Sequence, residues 1–251
     1  MTTDNVNRTA VLITGASSGI GLALAEHYLA QGIAVIACGR NAQALQAITG
    51  ATPLEFDITD NAQVQAAASK LKQLLQQHHW QLQQVVLNAG SCEYIDDALH
   101  FDSTLFARVI NTNVVATGYC LEHFLPLLGR GAQLGLMSSS ATYLPFPRAE
   151  AYGASKAAIT YLGRSLRVDL AKHGIGVSVI CPGFVKTPLT EKNDFAMPMQ
   201  ITPQQAAVAI YNGMQRQKRE IHFPTKFTWL LKLASLLPEK LLVSLLTPKN
   251  S

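Results

Sequence analysis

Short, almost unbroken apolar runs alternate along this chain with longer stretches in which apolar residues recur every three or four positions. The runs at 10–13, 34–38, 53–56, 84–87, 133–137, 177–180 and 220–223 predict strands covered on both faces, because a half-exposed strand would alternate apolar with polar residues. The periodic stretches near 19–31, 41–48, 61–78, 104–128, 151–173 and 203–217 predict the helices between them. Gly32 and Gly174 fall where helix C-caps are expected. Alternation of this kind predicts βαβ units and a parallel sheet of about seven strands. The chain shows no internal repeat and no low-complexity linker. We expect one α/β domain over 1–224, a doubly wound parallel sheet with helices on both faces, followed by an apolar, basic helical tail over 225–251 that packs on or extends it.

Two stretches break the rhythm. Segment 184–202 holds Phe184, Pro188, Phe195, Met197, Pro198 and Met199, apolar yet poorly periodic. Between a strand and a helix it suits either a lid over a binding site or an ordered surface loop. The second stretch, 227–246, carries Trp229, Leu230, Leu233, Leu236, Leu237, Leu241, Leu242, Leu245 and Leu246, interrupted by Pro238, Glu239 and Lys240. The interruption rules out a transmembrane span. Two short amphipathic helices with flanking lysines suit peripheral contact with a bilayer, closure of a pocket, or packing on a second subunit.

Composition narrows the class. With 48% hydrophobic and 14% charged residues, the 251-residue chain is that of a soluble, well-packed protein rather than a disordered one. Cys38, Cys92, Cys120 and Cys181 lie far apart with no metal-type spacing, so no metal site is expected. They read as buried thiols in a reducing compartment, and we expect a cytoplasmic location. Residues 1–9 are short and polar, without the apolar core of a secretory signal. The Asn7-Arg8-Thr9 sequon is then a chance match. From Met214 onward seven Lys and Arg stand against Glu220 and Glu239, a net +5 in a chain of net +4, so the body is near neutral. A nucleic-acid binder would interleave basic and aromatic residues across one face, and this chain does not.

Candidate chemistry begins at the end of the first strand. Thr14-Gly15-Ala16-Ser17-Ser18-Gly19-Ile20-Gly21 allows a tight turn, and the helix after it aims its first amides at an anion. In that setting the motif is the phosphate site of a Rossmann-type dinucleotide fold, with Gly15, Ser17, Ser18, Gly19, Ile20 and Gly21 as its contacts. After the second strand comes Gly39-Arg40-Asn41, where an acidic residue would bind the ribose hydroxyls. Arg40 can instead pair with a 2′-phosphate, so NADP(H) is expected over NAD(H). Asp57, after the third strand, suits the adenine amino group or the N-cap of the next helix. Small residues in Asn88-Ala89-Gly90 let a cofactor lie against the sheet. Tyr152 and Lys156 share one helical face. A cation nearby would lower the phenol from its free value of about 10, although the spacing alone equally fits an exposed helical pair.

With Pro182-Gly183 after the sixth strand, these motifs stand in the order and spacing of the short-chain dehydrogenase/reductase family, which the chain resembles over about 8–190. The resemblance implies hydride transfer between the nicotinamide and a carbonyl or secondary alcohol, with Tyr152 as general acid/base. It makes Ser139, thirteen residues before Tyr152, the serine that hydrogen-bonds the substrate oxygen, with Ser138 and Ser140 leaving a one-residue ambiguity. Asn113, thirteen before Pro126, matches the asparagine that holds a helix irregularity and a water near the lysine, and Asn111 is a decoy. Lys156 is implied to lower the tyrosine pKa and to bind the nicotinamide ribose. Pro182, Gly183, Val185 and Thr187 are implied to seat the nicotinamide. Ala116 and Leu87 depart from the usual glycine and asparagine. The family commonly forms homodimers or homotetramers through the helices near 104–128 and 151–173. Cys92, Tyr94, Tyr143, Phe146, Phe184 and Met197 form an apolar set that favours a lipophilic ketone or aldehyde. Two other readings keep the fold: a non-enzymatic NADPH-binding regulator, or an epimerase or dehydratase.

Overall fold

The computed structural model describes residues 8–247, so Asn7 of the sequon and Lys249 of the basic tail lie outside the described residues. Strands β1 (Arg8–Thr14), β2 (Ala34–Gly39), β3 (Thr52–Glu55), β4 (Trp80–Leu87), β5 (Gln133–Met137), β6 (Gly176–Pro182) and β7 (Glu220–Phe223) form one sheet in the order β3-β2-β1-β4-β5-β6-β7. Every pairing is parallel. The chain winds outward from β1 to β3, crosses to β4, and winds outward again to β7. The order therefore reverses between β1 and β4, and the carboxyl ends of those two strands flank a crevice.

Helices α1 (Gly19–Ala30), α2 (Ala42–Gln46), α3 (Asn61–Gln77), α4 (Ser103–Ile110), α5 (Ala116–Phe124), α6 (Glu150–Ala171) and α7 (Pro203–Gln215) cover the sheet. Successive residues of a strand point to opposite faces, and in β1 both faces are covered. Leu12 joins the core that contains Leu71, Phe124 and Ile159, whereas Val11 and Ile13 join the one that contains Leu24, Ile210 and Met214. This double burial is why β1 reads as an unbroken apolar run. Gly32 (φ +76°) and Gly174 (φ +69°) end α1 and α6 in the left-handed region, as their positions predict.

The structure corrects several boundaries. β4 starts at Trp80, four residues before the predicted run, because its first half is polar but partnered. Gln83 donates to the Gly131 carbonyl at 2.7 Å, and buried Gln84 accepts from the Tyr28 hydroxyl. The predicted helix 104–128 is broken: a π turn (Asn111–Val115) separates α4 from α5, and a 3-10 turn containing Pro126 closes it. Segment 184–202 has no regular structure beyond the bridge between Val185 and Ile201. Its two ends are nonetheless pinned, since Lys186 N donates to Ile201 O at 2.9 Å and Ile201 N to Phe184 O at 3.0 Å. Of the four thiols, Cys38, Cys120 and Cys181 are buried as expected, but Cys92 is only partly so.

The tail forms α8 (Thr225–Ala234) and α9 (Glu239–Leu246). Phe227 and Leu231 of α8 pack with Leu144 beside Tyr143, Phe146 and Phe184. Lys232 Nζ donates to Glu220 Oε1 at 2.5 Å, and the Tyr143 hydroxyl donates to the same oxygen at 2.7 Å. Among the described residues no helix is long and apolar enough to cross a membrane.

Candidate active site

A groove of about 660 Å³ opens at the carboxyl edge of the sheet, where the strand order reverses. Gly15, Ser17, Ser18, Gly19, Ile20, Arg40, Asp57, Asn88, Ala89, Gly90, Ser139, Tyr152, Lys156, Pro182, Gly183, Val185 and Thr187 all line it. Gly21 and Asn113, the other two predicted site residues, stand behind its wall.

The first end is built for an anion. The side chain of the N-cap residue Ser18 makes no capping hydrogen bond to α1, so the first-turn amides keep their hydrogen-bonding capacity. A Cβ on Gly21 would sit 2.1 Å from the Gly15 carbonyl oxygen and 2.7 Å from Asn88 Nδ2, so only glycine lets the helix start this close to the turn. Asn88 Nδ2 donates to Thr14 O at 2.9 Å, and the Asn88 and Ala89 amides donate to Thr14 Oγ1 at 3.0 and 3.1 Å. These bonds lock the ends of β1 and β4 together.

Arg40 is 77% exposed, and its Nη1 lies 3.6 Å from Asp57 Oδ2. It also borders a shallow hollow of about 520 Å³ with Ser17, Asn41, Ala42 and Gln43. Burial is the largest single influence on the Asp57 carboxyl and pushes it up. Hydrogen bonds from Thr59 N–H and Oγ1 (2.9 and 2.8 Å) and the Arg40 charge outweigh it and hold the group below the usual carboxylate range. The N-cap reading of Asp57 is corrected: Asp60 caps α3, accepting from Ala62 N and Gln63 N at 3.0 and 3.1 Å.

The second end gathers the groups of proton chemistry. Tyr152 and Lys156 come from the start of α6, and Ser139 from the end of β5. Within the run 138–140 the three serines separate. Ser138 Oγ donates to Lys156 O at 3.0 Å and meets Thr160 Oγ1 at 2.6 Å, holding α6 to the sheet. Ser139 Oγ accepts from Ala141 N at 3.1 Å and also faces the Tyr152 phenol. Ser140 is buried and opens a 3-10 turn.

The π turn carries one residue more than an α-helical turn would, and it places Asn113 inside while Asn111 stays exposed. Asn113 Nδ2 donates to Ser91 O and to Ser155 Oγ, both at 2.9 Å, and Oδ1 accepts from Ser91 N at 2.8 Å. Helix α4–α5, the loop after β4 and α6 are thereby tied through one side chain. A Cβ on Gly90 would lie 2.8 Å from Asn113 Oδ1 and 3.3 Å from Lys156 Nζ. Bare backbone at position 90 is what lets the asparagine and the lysine converge.

The electrostatics of the pair differ from the helical-spacing expectation. Lys156 Nζ lies 5.7 Å from the centre of the Tyr152 ring and donates to Met137 O at 3.0 Å. Burial pushes the Lys156 ammonium down to about 8. It pushes the Tyr152 phenol up, with Cys92 adding to the rise and the Ser139 hydroxyl only partly opposing it. The protein's own groups therefore keep this phenol protonated, because the desolvation of a phenolate outweighs a cation that is itself desolvated.

Segment 184–202 is fastened across the site by residues that no motif singles out. Arg148 donates from Nη1 to Asp194 Oδ1 at 2.8 Å and from Nη2 to Asp96 Oδ1 at 2.6 Å. Its guanidinium stands 5.6 Å over the Tyr94 ring, which meets Phe195 edge-on at 5.6 Å. Phe184 contacts both Phe195 and Phe227. None of the six proposed substrate-pocket residues borders the groove itself. Tyr94 and Phe184 join this aromatic row, whereas Tyr143 and Phe146 serve the packing of α8.

The protein's own atoms fit a dinucleotide. Uncapped amides at α1 and glycines too close for a Cβ meet the steric and electrostatic needs of the phosphates. Ser91 Oγ, at the groove wall, is buried with no hydrogen-bond partner among the described residues, and supplies a polar atom for such a ligand. Fold and groove together define a nucleotide-binding α/β protein of the doubly wound class. The short chain dehydrogenase family model matches residues 9–197, and the chain belongs to that family of oxidoreductases, which act on CH–OH groups. It is 35% identical to an uncharacterized oxidoreductase of Myxococcus xanthus, over 93% of this chain and 94% of that protein. It is 30% identical to a sulfoacetaldehyde reductase of Chromohalobacter salexigens, over 81% of this chain and 80% of the other. A 3beta-hydroxysteroid dehydrogenase of Mediterraneibacter gnavus is 31% identical, with coverage of 73% and 68%. The structure of a short chain dehydrogenase from Burkholderia cenocepacia, solved in complex with NADP, shares the fold with a TM-score of 0.82 at 24% identity, covering 96% and 98%.

Proposed function

We propose that this protein is an NADPH-dependent carbonyl reductase acting on an apolar ketone or aldehyde. The observation that carries the reading is a half-buried Tyr152 phenol facing the Ser139 hydroxyl at the inner end of a dinucleotide groove, where desolvation favours its protonated form. A general acid must hold its proton until the substrate needs it, and burial does that here.

The nicotinamide, when bound, supplies the hydride. Gly15 to Gly21 and the α1 amides hold the diphosphate, and Pro182, Gly183, Val185 and Thr187 line the wall that seats the nicotinamide. Asp57, Asn88, Ala89 and Gly90 shape the groove between them. Ser139 Oγ already accepts from Ala141 N, so its proton is available to the substrate oxygen. Tyr152 donates the proton that turns the forming alkoxide into an alcohol. Lys156 holds positive charge beside the phenol and offers donors to the ribose hydroxyls. Asn113 acts as a positioning residue, fixing the backbone around Gly90 and the start of α6.

Arg40 and the hollow beside it support NADP(H) over NAD(H), since a guanidinium suits a phosphate. The row Tyr94–Phe195–Phe184 stands outside the groove lining but adjoins its catalytic end, where Tyr94 neighbours Tyr152, and so supports an apolar substrate. We further assign the protein to a reducing, cytoplasmic setting on the strength of its free thiols. A homodimer or homotetramer through α6 is supported by Tyr161 and Val168, which α6 leaves exposed. The regulator and epimerase readings gain no observation in their favour. NADPH and NADH consumption against carbonyls graded by size and polarity tests the proposal. Turnover of apolar aromatic or alicyclic ketones with NADPH is expected, and no turnover of any carbonyl with either cofactor would overturn it.

A further inference from the structure

Helix α8 is apolar on both sides but covered on one. Phe227, Thr228 and Leu231 face the body, while Trp229, Leu230 and Leu233 are more than half exposed on the other side. Leu236, Leu237 and Leu241 continue the open surface, and α9 buries no residue. Of seventeen large hydrophobic side chains exposed among the described residues, eight fall between 229 and 245. A surface helix ordinarily turns a polar face outward, and a contiguous apolar surface marks a place of contact.

Charge decides what makes the contact. Lys226 is exposed just before the patch and Lys240 within it, and Glu239 is the one acidic residue between 225 and 247. The Lys232–Glu220 pair at 2.5 Å draws the start of β7 beside α8, and Lys218 and Arg219 precede it directly. A second copy laid on this patch would bring the same cations face to face. An anionic lipid surface meets both features, with apolar side chains in the acyl boundary and lysines among the headgroups. At 10 and 8 residues, α8 and α9 are each at most ~15 Å long, against ~30 Å of hydrocarbon. They fit the plane of the interface and not a span across it.

We infer that the outer face of α8 and α9 docks this protein on anionic bilayers as a peripheral membrane surface. The test uses the full chain with Trp80→Phe, which leaves Trp229 as the single tryptophan. It is mixed with vesicles of phosphatidylcholine containing phosphatidylglycerol, or with vesicles of phosphatidylcholine alone. Co-sedimentation and a blue shift of Trp229 emission are expected with the anionic vesicles, both weakening as salt is raised. A variant with Leu233→Ser, Leu236→Ser and Leu241→Ser should lose on the order of a hundredfold in partitioning, and Lys226→Glu with Lys240→Glu should lose the preference for anionic lipid. All of these residues are exposed, so NADPH binding should match that of the parent and report an intact fold. Absence of binding to anionic vesicles would overturn the inference. So would a triple-serine variant that binds vesicles like the parent; if that variant also turns a dimer into a monomer in sedimentation, the patch belongs to a second copy.

Discussion

Lys156 should destabilise the protein it serves, by an amount that depends on pH. The residue is 5% exposed, and burial lowers its pKa from an ordinary 10.5 to about 8. Below about pH 8 the ammonium is charged in both folded and unfolded chains, and the folded chain bears the whole desolvation penalty. As the pH rises from about 8 to 10.5 the folded chain sheds its proton first and the penalty fades. At about 1.4 kcal/mol per pKa unit the penalty is about 3 kcal/mol. Lys156→Met removes the charge at similar volume and forfeits the bond to the Met137 carbonyl, worth about 1 kcal/mol. The variant should therefore be more stable than the parent by about 2 kcal/mol at pH 7, and the advantage should vanish towards pH 10. Urea unfolding of both proteins across that range measures it, and taking the difference cancels other titrating groups. A gap that stays constant with pH, or a variant less stable at pH 7, would refute the reasoning.

Other consequences follow from the same geometry. The rate of carbonyl reduction should fall above about pH 8, where Lys156 loses its charge while Tyr152 remains protonated; a profile flat to pH 10 would separate the lysine charge from catalysis. Arg40→Asp should move the ratio of kcat/KM for NADPH over NADH by about a hundredfold towards NADH, and an unchanged ratio would remove Arg40 from cofactor choice. Gly90→Ala drives a methyl to 2.8 Å from Asn113 Oδ1. It should cost about 2 kcal/mol of stability together with most turnover, and a variant with the parent's urea midpoint and rate would show that Asn113 has room to give.

The fold was legible because the sheet is buried on both faces. Val11, Leu12 and Ile13 must all be apolar, and the run stands out against the helices. The same logic hid the first half of β4, where Gln83 and Gln84 find partners 48 and 56 residues away that no local pattern reveals. The groove residues were legible because backbone geometry and motif spacing coincide at Gly15, Gly21 and Gly90. The electrostatics were not. Spacing shows that Tyr152 and Lys156 share a face, but not that both are desolvated, and desolvation sets the direction of both shifts. The fastening of segment 184–202 by Arg148, Asp96 and Asp194 was equally silent, since charged residues that meet across three loops leave no periodicity.

Tyr152→Phe tests the central claim most directly, with NADPH binding and carbonyl-dependent NADPH consumption measured on the same preparation. Removing one hydroxyl should leave NADPH affinity at the parent value and lower turnover by about a thousandfold. Turnover within tenfold of the parent, with NADPH still bound, would show that the proton comes from elsewhere.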